Sequence, residues 1–270
     1  QELAGGQRKM MDFQMRAEKM FSKWTNDHKF MRRITGERAE AVTVTGTSEG
    51  KSVEVKITPA MRMSLYMHSL NAQNMKHVAQ GGVTIPDLEL YRKGRLADAY
   101  SQGTLVRFSP SQISAIVSKM TDKERVFCQA ATEFFDGMSQ NEINEVSELL
   151  NGYSVAGIEH YFPINTDQAF TKSEFESVKR DGSIEGMGFL KERVNAVNPI
   201  YLRDINSVLT QSISMGGKYV GLAIPVRNFN KLYSISLVNR EEGISSYSDS
   251  VQHALEKAWG TAGTDYIEKF

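Results

Sequence analysis

Three times between Ser109 and Glu142 a hydroxyl residue stands three places ahead of a Glu or Gln. The segments are Ser109-Pro110-Ser111-Gln112, Thr121-Asp122-Lys123-Glu124 and Ser139-Gln140-Asn141-Glu142. In this pattern the hydroxyl accepts the free N–H three residues on, and the Glu or Gln reaches back to the hydroxyl residue's own N–H. Each therefore predicts a helix start, here at Pro110, Asp122 and Gln140. Starts repeated this closely commit the middle of the chain to short helices.

Periodicity extends the helical reading in both directions. Met10, Phe13, Ala17, Met20, Phe21 and Trp24 fall at helical spacing and predict one amphipathic helix over 7–33. Val42 and Val44, then Val53, Val55 and Ile57, alternate instead, and Thr47-Ser48-Glu49-Gly50 supplies a turn between them. Thr58 caps the next helix with Pro59 at its first position, where the missing N–H costs nothing. That helix is expected to run to Gly81-Gly82, with Met61, Leu65, His68 and Ala72 on one side. Helical pattern continues from Pro86 with breaks near Gly94 and Gly103, then an extended piece at 105–108. Gly137 separates the last two capped helices, and Gly152 ends the third.

Residues 153–171 read as irregular around Pro163, and a looser helical stretch resumes at Ser173. A helix over 199–215 closes at Gly216-Gly217. Tyr233, Ile235 and Leu237 alternate like a strand that could pair with 219–224, and the tail from Asp249 is helical with breaks at Gly260 and Gly263. The expected fold is mainly α: a multi-helix domain with a small β-hairpin near residues 41–57 and a second short strand pair at 219–238. Residues 1–152 form the helical domain with the hairpin, and 153–270 a helical region packed against it, unless the two are a single domain.

Charge is balanced overall, 32 Lys plus Arg against 32 Asp plus Glu, so no global field draws nucleic acid or anionic membrane. No apolar run approaches the roughly 18–20 residues of a membrane-spanning helix. The amino end lacks the basic start and apolar core of a signal peptide, and both ends read as a segment cut from something longer. Cys128, the single cysteine, rules out an intrachain disulfide and reads as a small buried hydrophobe.

Locally the charge is split. Arg8, Lys9, Arg16, Lys19, Lys23, Lys29, Arg32 and Arg33 make the first helix basic, while 122–150 carries Asp122, Glu124, Glu133, Asp136, Glu142, Glu145 and Glu148. Either Arg8, Lys9, Arg16, Lys19 and Lys23 present an interaction surface for phosphate, or the basic and acidic helices cancel inside the fold. Overall neutrality favours the second. The aromatic residues Phe13, Phe21 and Trp24 lie on the apolar stripe, which argues against a base-stacking platform.

Chemical motifs are poor. Gly46-Thr47-Ser48-Glu49-Gly50-Lys51-Ser52 ends like a phosphate-binding loop, but it has three residues between its glycines where four are needed, and strand pattern follows it. Gly182, Gly186 and Gly188 do not match the dinucleotide fingerprint. His68 and His77, nine apart on one predicted helix, face different ways and cannot share an ion. Most carboxylates read as solvated helix surface. No catalytic residue, metal ligand or cofactor is assigned. One speculative pocket remains around His160, Tyr161 and Arg193, His160 lying where loop residues often carry function.

Four segments in order carry a resemblance. They are Thr58-Pro59-Ala60-Met61-Arg62-Met63-Ser64-Leu65-Tyr66-Met67, His160-Tyr161-Phe162-Pro163-Ile164, Ile184-Glu185-Gly186-Met187-Gly188-Phe189-Leu190-Lys191-Glu192-Arg193-Val194, and Gly221-Leu222-Ala223-Ile224-Pro225-Val226-Arg227-Asn228-Phe229-Asn230. Together they resemble a region of the large polyvalent proteins of bacteriophages and conjugative elements, over roughly 7–270. The resemblance implies a non-catalytic binding or scaffolding module of such a protein, which helps to shield incoming DNA from host defences. The implied partners are other modules of the same protein, a second copy, or nucleic acid, in the cytoplasm of the bacterial host or carried in the virion. It allows equally a virion structural or DNA-ejection protein. An enzyme fragment, a hydrolase or transferase with its site near His160, stands as the rival from another class.

Overall fold

The computed structural model describes residues 2–35, 38–165, 199–241 and residue 257. Over these residues it is mainly helical, with a β-hairpin and a small three-stranded sheet. The expectations for 173–198 and for the tail from Asp249 fall outside the described residues, apart from position 257.

α1 (Glu2–Thr25) buries Phe13, Ala17, Phe21 and Trp24, the stripe read from periodicity. The single helix expected over 7–33 breaks, however, at Asn26-Asp27. The Asp27 carboxylate accepts the Phe30 N–H at 3.0 Å and opens α2 (His28–Ile34). A short acidic side chain that competes for backbone donors favours a cap over a helix interior.

β1 (Val42–Ser48) and β2 (Lys51–Ile57) form the hairpin, with Val44 opposite Val55. The turn is tighter than the four residues expected, since Glu49 and Gly50 alone make it, both at positive φ. Two such residues give the twist that matches flanking strands. Gly46 has a different purpose from the phosphate loop it imitates. A Cβ there would come within 2.2 Å of Val106 Cγ1 and 2.8 Å of Phe108 Cε1, so the glycine lets the hairpin lie flat on the core.

α3 (Pro59–Leu70) begins as expected, the Thr58 hydroxyl accepting the Met61 N–H. It stops at Leu70 instead of running to Gly81-Gly82. The Asn71 side chain takes the N–H groups of Gln73 and Asn74 and starts α4 (Ala72–Lys76), which passes into a π-helical turn, His77–Gly81. β3 (Val83–Ile85), α5 (Leu88–Arg92), α6 (Leu96–Ser101) and β4 (Thr104–Val106) follow. β3 pairs antiparallel with β4 and parallel with β5 (Ile200–Tyr201), so residues far apart in the chain share one sheet.

α7 (Pro110–Ser118) and α8 (Asp122–Glu133) both open with complete capping boxes, at Ser109 and Thr121. The third expected box is absent. Ser139 is helical, at φ −66° and ψ −47°, and makes no cap. A π-helical turn, Phe134–Ser139, carries α8 directly into α9 (Gln140–Asn151), with Gly137 inside it. An uninterrupted helix has no free N–H groups at that point, so the hydroxyl has nothing to cap. Gly152 ends α9 in the left-handed conformation, φ 80°.

The largest departure is α10 (Ile205–Glu241). One helix of 37 residues runs through Gly216, Gly217, Gly221 and Pro225. It replaces the helix expected over 199–215 and the strand pair expected at 219–238. The reason is its neighbour α1, against which it packs along much of its length. A Cβ at Gly6 would lie 2.4 Å from the Gly221 carbonyl oxygen, and one at Gly221 would lie 2.4 Å from the Gly6 oxygen. Pro225 has no N–H to offer that same Gly221 carbonyl. Glycine and proline here shape a close backbone crossing and do not end the helix.

α3 lies between two cores. Ala60, Met63 and Met67 join Phe13, Phe21, Trp24, Phe127 and Phe134. Met61 and Leu65 join the hairpin and the sheet through Val44, Ile57, Val83 and Val106. A smaller cluster of Ile143, Val146, Tyr219 and Ala223 seals α9 to α10. Cys128 is fully buried, as expected, and burial raises its thiol pKa well above the usual range.

Candidate functional site

The cations of the first two helices divide into two groups. Arg16 is bidentate on Glu142 of α9, at 2.6 and 2.8 Å, and its Nε donates to Asp12 at 2.8 Å. The Glu142 hydrogen bond is the main cause that lifts its pKa still higher. Arg33 meets Glu124 at 2.7 Å, and Lys123 reaches back to Asp27. The basic and acidic helices therefore do cancel part of their charge against each other.

The rest face solvent. Arg8, Lys9, Lys19 and Lys23 of α1, with Lys29 and Arg32 of α2, are exposed and form no ion pair among the described residues. At about 100° per residue, positions 8, 9, 16, 19 and 23 occupy one side of α1, spanning a sector of about 100°. Asp12 lies within it, already engaged by Arg16. Met11 and Met15, 56% and 60% exposed, border the sector. Lys23 Nζ sits 4.0 Å from the centre of the Trp24 ring, but Trp24, Phe13 and Phe21 are buried and offer no stacking face.

The pocket expected at His160, Tyr161 and Arg193 is only partly assembled. Arg193 lies outside the described residues. His160 has a positive φ of 52° and a half-exposed ring whose Nδ1 is 3.3 Å from Asp136 Oδ2. The same carboxylate accepts the backbone N–H groups of His160 and Tyr161, at 2.9 and 3.0 Å. Asp136 thus ties the loop to the π-helical turn, and the histidine–aspartate pair is part of that tether.

Tyr161 does line a cleft, and His160 does not. The cleft holds about 160 Å³ between the π-helical turn, α9, the loop 156–165 and the first turns of α10. Phe135, Ile143, Ile158, Tyr161 and Met215 give it apolar walls. Its outer wall is pinned twice, by Asp136 and by Asn144, whose Oδ1 accepts the N–H groups of Val155 and Ala156 and whose Nδ2 donates to the Ala156 carbonyl. Arg203 enters the cleft from the link between β5 and α10, held by Gln211 Oε1.

Sequence reasoning missed two features here. Glu124, which the sequence marks as a capping-box residue of an acidic segment, is fully buried and binds Arg33 and Arg62, each at 2.7 Å. Its capping box was legible, but nothing local signalled two arginines arriving from distant helices. Arg203 carried no signal at all, because the cleft it lines is built from three separate stretches of chain, 135–143, 156–165 and 203–215. The break at Asn71 removes the premise that His68 and His77 stand on one continuous helix; His68 is buried, and burial first, then the charge of His77, lowers its pKa. Among the described residues no group of three or more His, Cys, Asp or Glu could hold a metal ion, and no helix is long and apolar enough to cross a membrane. Comparisons with protein-family models, with curated proteins and with solved structures find no match.

Proposed function

We propose that this chain is a non-catalytic binding and scaffolding module of a large phage or mobile-element protein, and that the outer side of α1 and α2 holds DNA through its phosphates. The observation that carries this reading is the set of exposed cations left over after the internal ion pairs: Arg8, Lys9, Lys19, Lys23, Lys29 and Arg32. From Arg8 to Lys23 the helix extends about 22 Å at 1.5 Å per residue. That length faces several phosphates of a duplex, which carries one charge per about 1.7 Å of axis. With no stacking ring exposed on α1, contact through the backbone of the nucleic acid is the mode this surface favours. The resemblance to polyvalent proteins supports the same reading, as the role implied there is the shielding of incoming DNA.

The test is fluorescence anisotropy with labelled duplex and single-stranded DNA at two salt concentrations. Four phosphate contacts from α1 give a slope of log K against log salt of about −3 to −4 for duplex. The double substitution Lys19→Glu with Lys23→Glu is expected to weaken binding at least tenfold at low salt. No binding by the parent protein at low salt, or equal binding by the double variant, would remove DNA as the partner. Recovery of the chain from purified virus particles would favour a structural or ejection role instead.

A further inference from the structure

We infer that the cleft between α9, the loop 156–165 and α10 is a binding site for a small organic carboxylate with a ring-sized apolar body. Three observations converge on that chemistry. First, its volume of about 160 Å³ is close to the ~150 Å³ of an apolar protein cavity that takes up benzene. Phe135, Ile143, Ile158, Tyr161 and Met215 supply walls that suit an apolar ring.

Second, the cleft has one charge and it is positive. Among the described residues no Asp or Glu lines it, and Arg203 forms no ion pair. The adjacent Asp204 does not supply the missing carboxylate, because its oxygens take the Ser207 N–H, the Ser207 hydroxyl and the Tyr91 hydroxyl. Gln211 Oε1 accepts from Arg203 Nη1 and the Ser207 carbonyl accepts from Nη2, so the guanidinium is oriented without being neutralised. An oriented guanidinium is matched geometrically to a carboxylate.

Third, Arg203 stands just ahead of α10, a helix of 37 residues that begins at Ile205. The Asp204 carboxylate caps that helix by accepting the Ser207 N–H, which fixes the backbone of the neighbouring Arg203 beside the cleft that its side chain lines. The walls are also preorganised, since Asp136 and Asn144 hold the loop at both ends of the cleft. This inference is independent of the DNA reading, which concerns the other charged surface.

The experiment titrates the intact protein with 3-phenylpropionate, its neutral amide and the cationic 3-phenylpropylamine, followed by calorimetry. The acid is expected to bind at least tenfold more tightly than the amide, with the amine weaker still. Arg203→Met should lose that preference, and Arg203→Lys should recover part of it, with circular dichroism checking that both remain folded. Equal affinity for acid and amide in the parent protein would overturn the inference without reference to any variant. So would no measurable binding of the acid, or a preference for acid that survives in Arg203→Met.

Discussion

Glu124 serves three partners with two oxygens. Oε1 takes Arg33, and Oε2 takes both Arg62 and the Thr121 N–H that completes the capping box. Arg62 is almost as buried as the acid, so removing the negative charge leaves a cation stranded in the core. Breaking a buried pair from one side costs about 3–5 kcal/mol. Glu124→Gln is expected to lose that much in urea unfolding, while Arg16→Ala, whose side chain is 47% exposed, loses about 1 kcal/mol or less. Comparable losses in the two variants would contradict the assignment. His68 gives a pH signature of its own. Burial, then the charge of His77, lowers its pKa to about 3. An unfolded histidine titrates near ~6.5. Below that pH the unfolded chain gains a proton that the folded one refuses, so stability falls as pH drops from about 6.5 toward 3. Between pH 7 and pH 5 this one group accounts for about 2 kcal/mol. Urea midpoints at both pH values should fall less in His68→Gln than in the parent, and identical slopes would rule out a neutral buried His68.

Among the elements, α1 and α10 cross where glycine alone fits. Alanine at Gly221 adds helix propensity of about 1 kcal/mol. Its Cβ, however, would stand 2.4 Å from the Gly6 oxygen and 2.7 Å from the Met10 backbone nitrogen, and backbone atoms yield little. Gly221→Ala is therefore expected to lower the melting temperature, whereas Gly137→Ala, which meets nothing within 4 Å, leaves it unchanged or raises it. A thermal scan of the two variants side by side checks the claim, and a stabilised Gly221→Ala would refute the close crossing. The same contact explains why this helix was hard to read. Gly216-Gly217 and Pro225 are stop signals when judged locally. Packing with α1 makes them acceptable inside a helix, because side-chain-free backbone permits an approach that larger residues block. Ser139 fails in the mirror sense: its capping pattern is complete, but the helix never starts there.

For the whole molecule, α3 links the two larger cores. Its residues are buried on both sides, with Met63 and Met67 in the aromatic core and Met61 and Leu65 against the hairpin and sheet. Damage to one core should consequently be felt in the other. Leu65→Ala is expected to cost about 2–5 kcal/mol. In a Trp259→Phe background, which leaves Trp24 as the single tryptophan, its fluorescence should report the same lowered transition as far-UV circular dichroism, although Trp24 lies in the other core. Two separate transitions would show that the cores unfold independently. Charge follows the same logic of scale. Zero net charge hides an uneven distribution, in which Arg16, Arg33 and Lys123 pair with carboxylates of neighbouring helices while Arg8, Lys9, Lys19 and Lys23 form no ion pair among the described residues.

What this chain determined by itself were the features that depend on neighbours within four residues. These include the capping boxes at Ser109 and Thr121, the Thr58-Pro59 helix start, the alternating arms of the hairpin, the left-handed Gly152 and the buried stripe of α1. Backbone donors near a helix end find side chains close by, so local order is enough. Tertiary structure decided what depends on distant partners: the unbroken α10, the parallel pairing of β3 with Ile200–Tyr201, the burial of Glu124 between two arginines and the cleft around Arg203. Those outcomes turn on how closely two backbones can approach and which charges meet out of water, and neither is set by spacing along the chain.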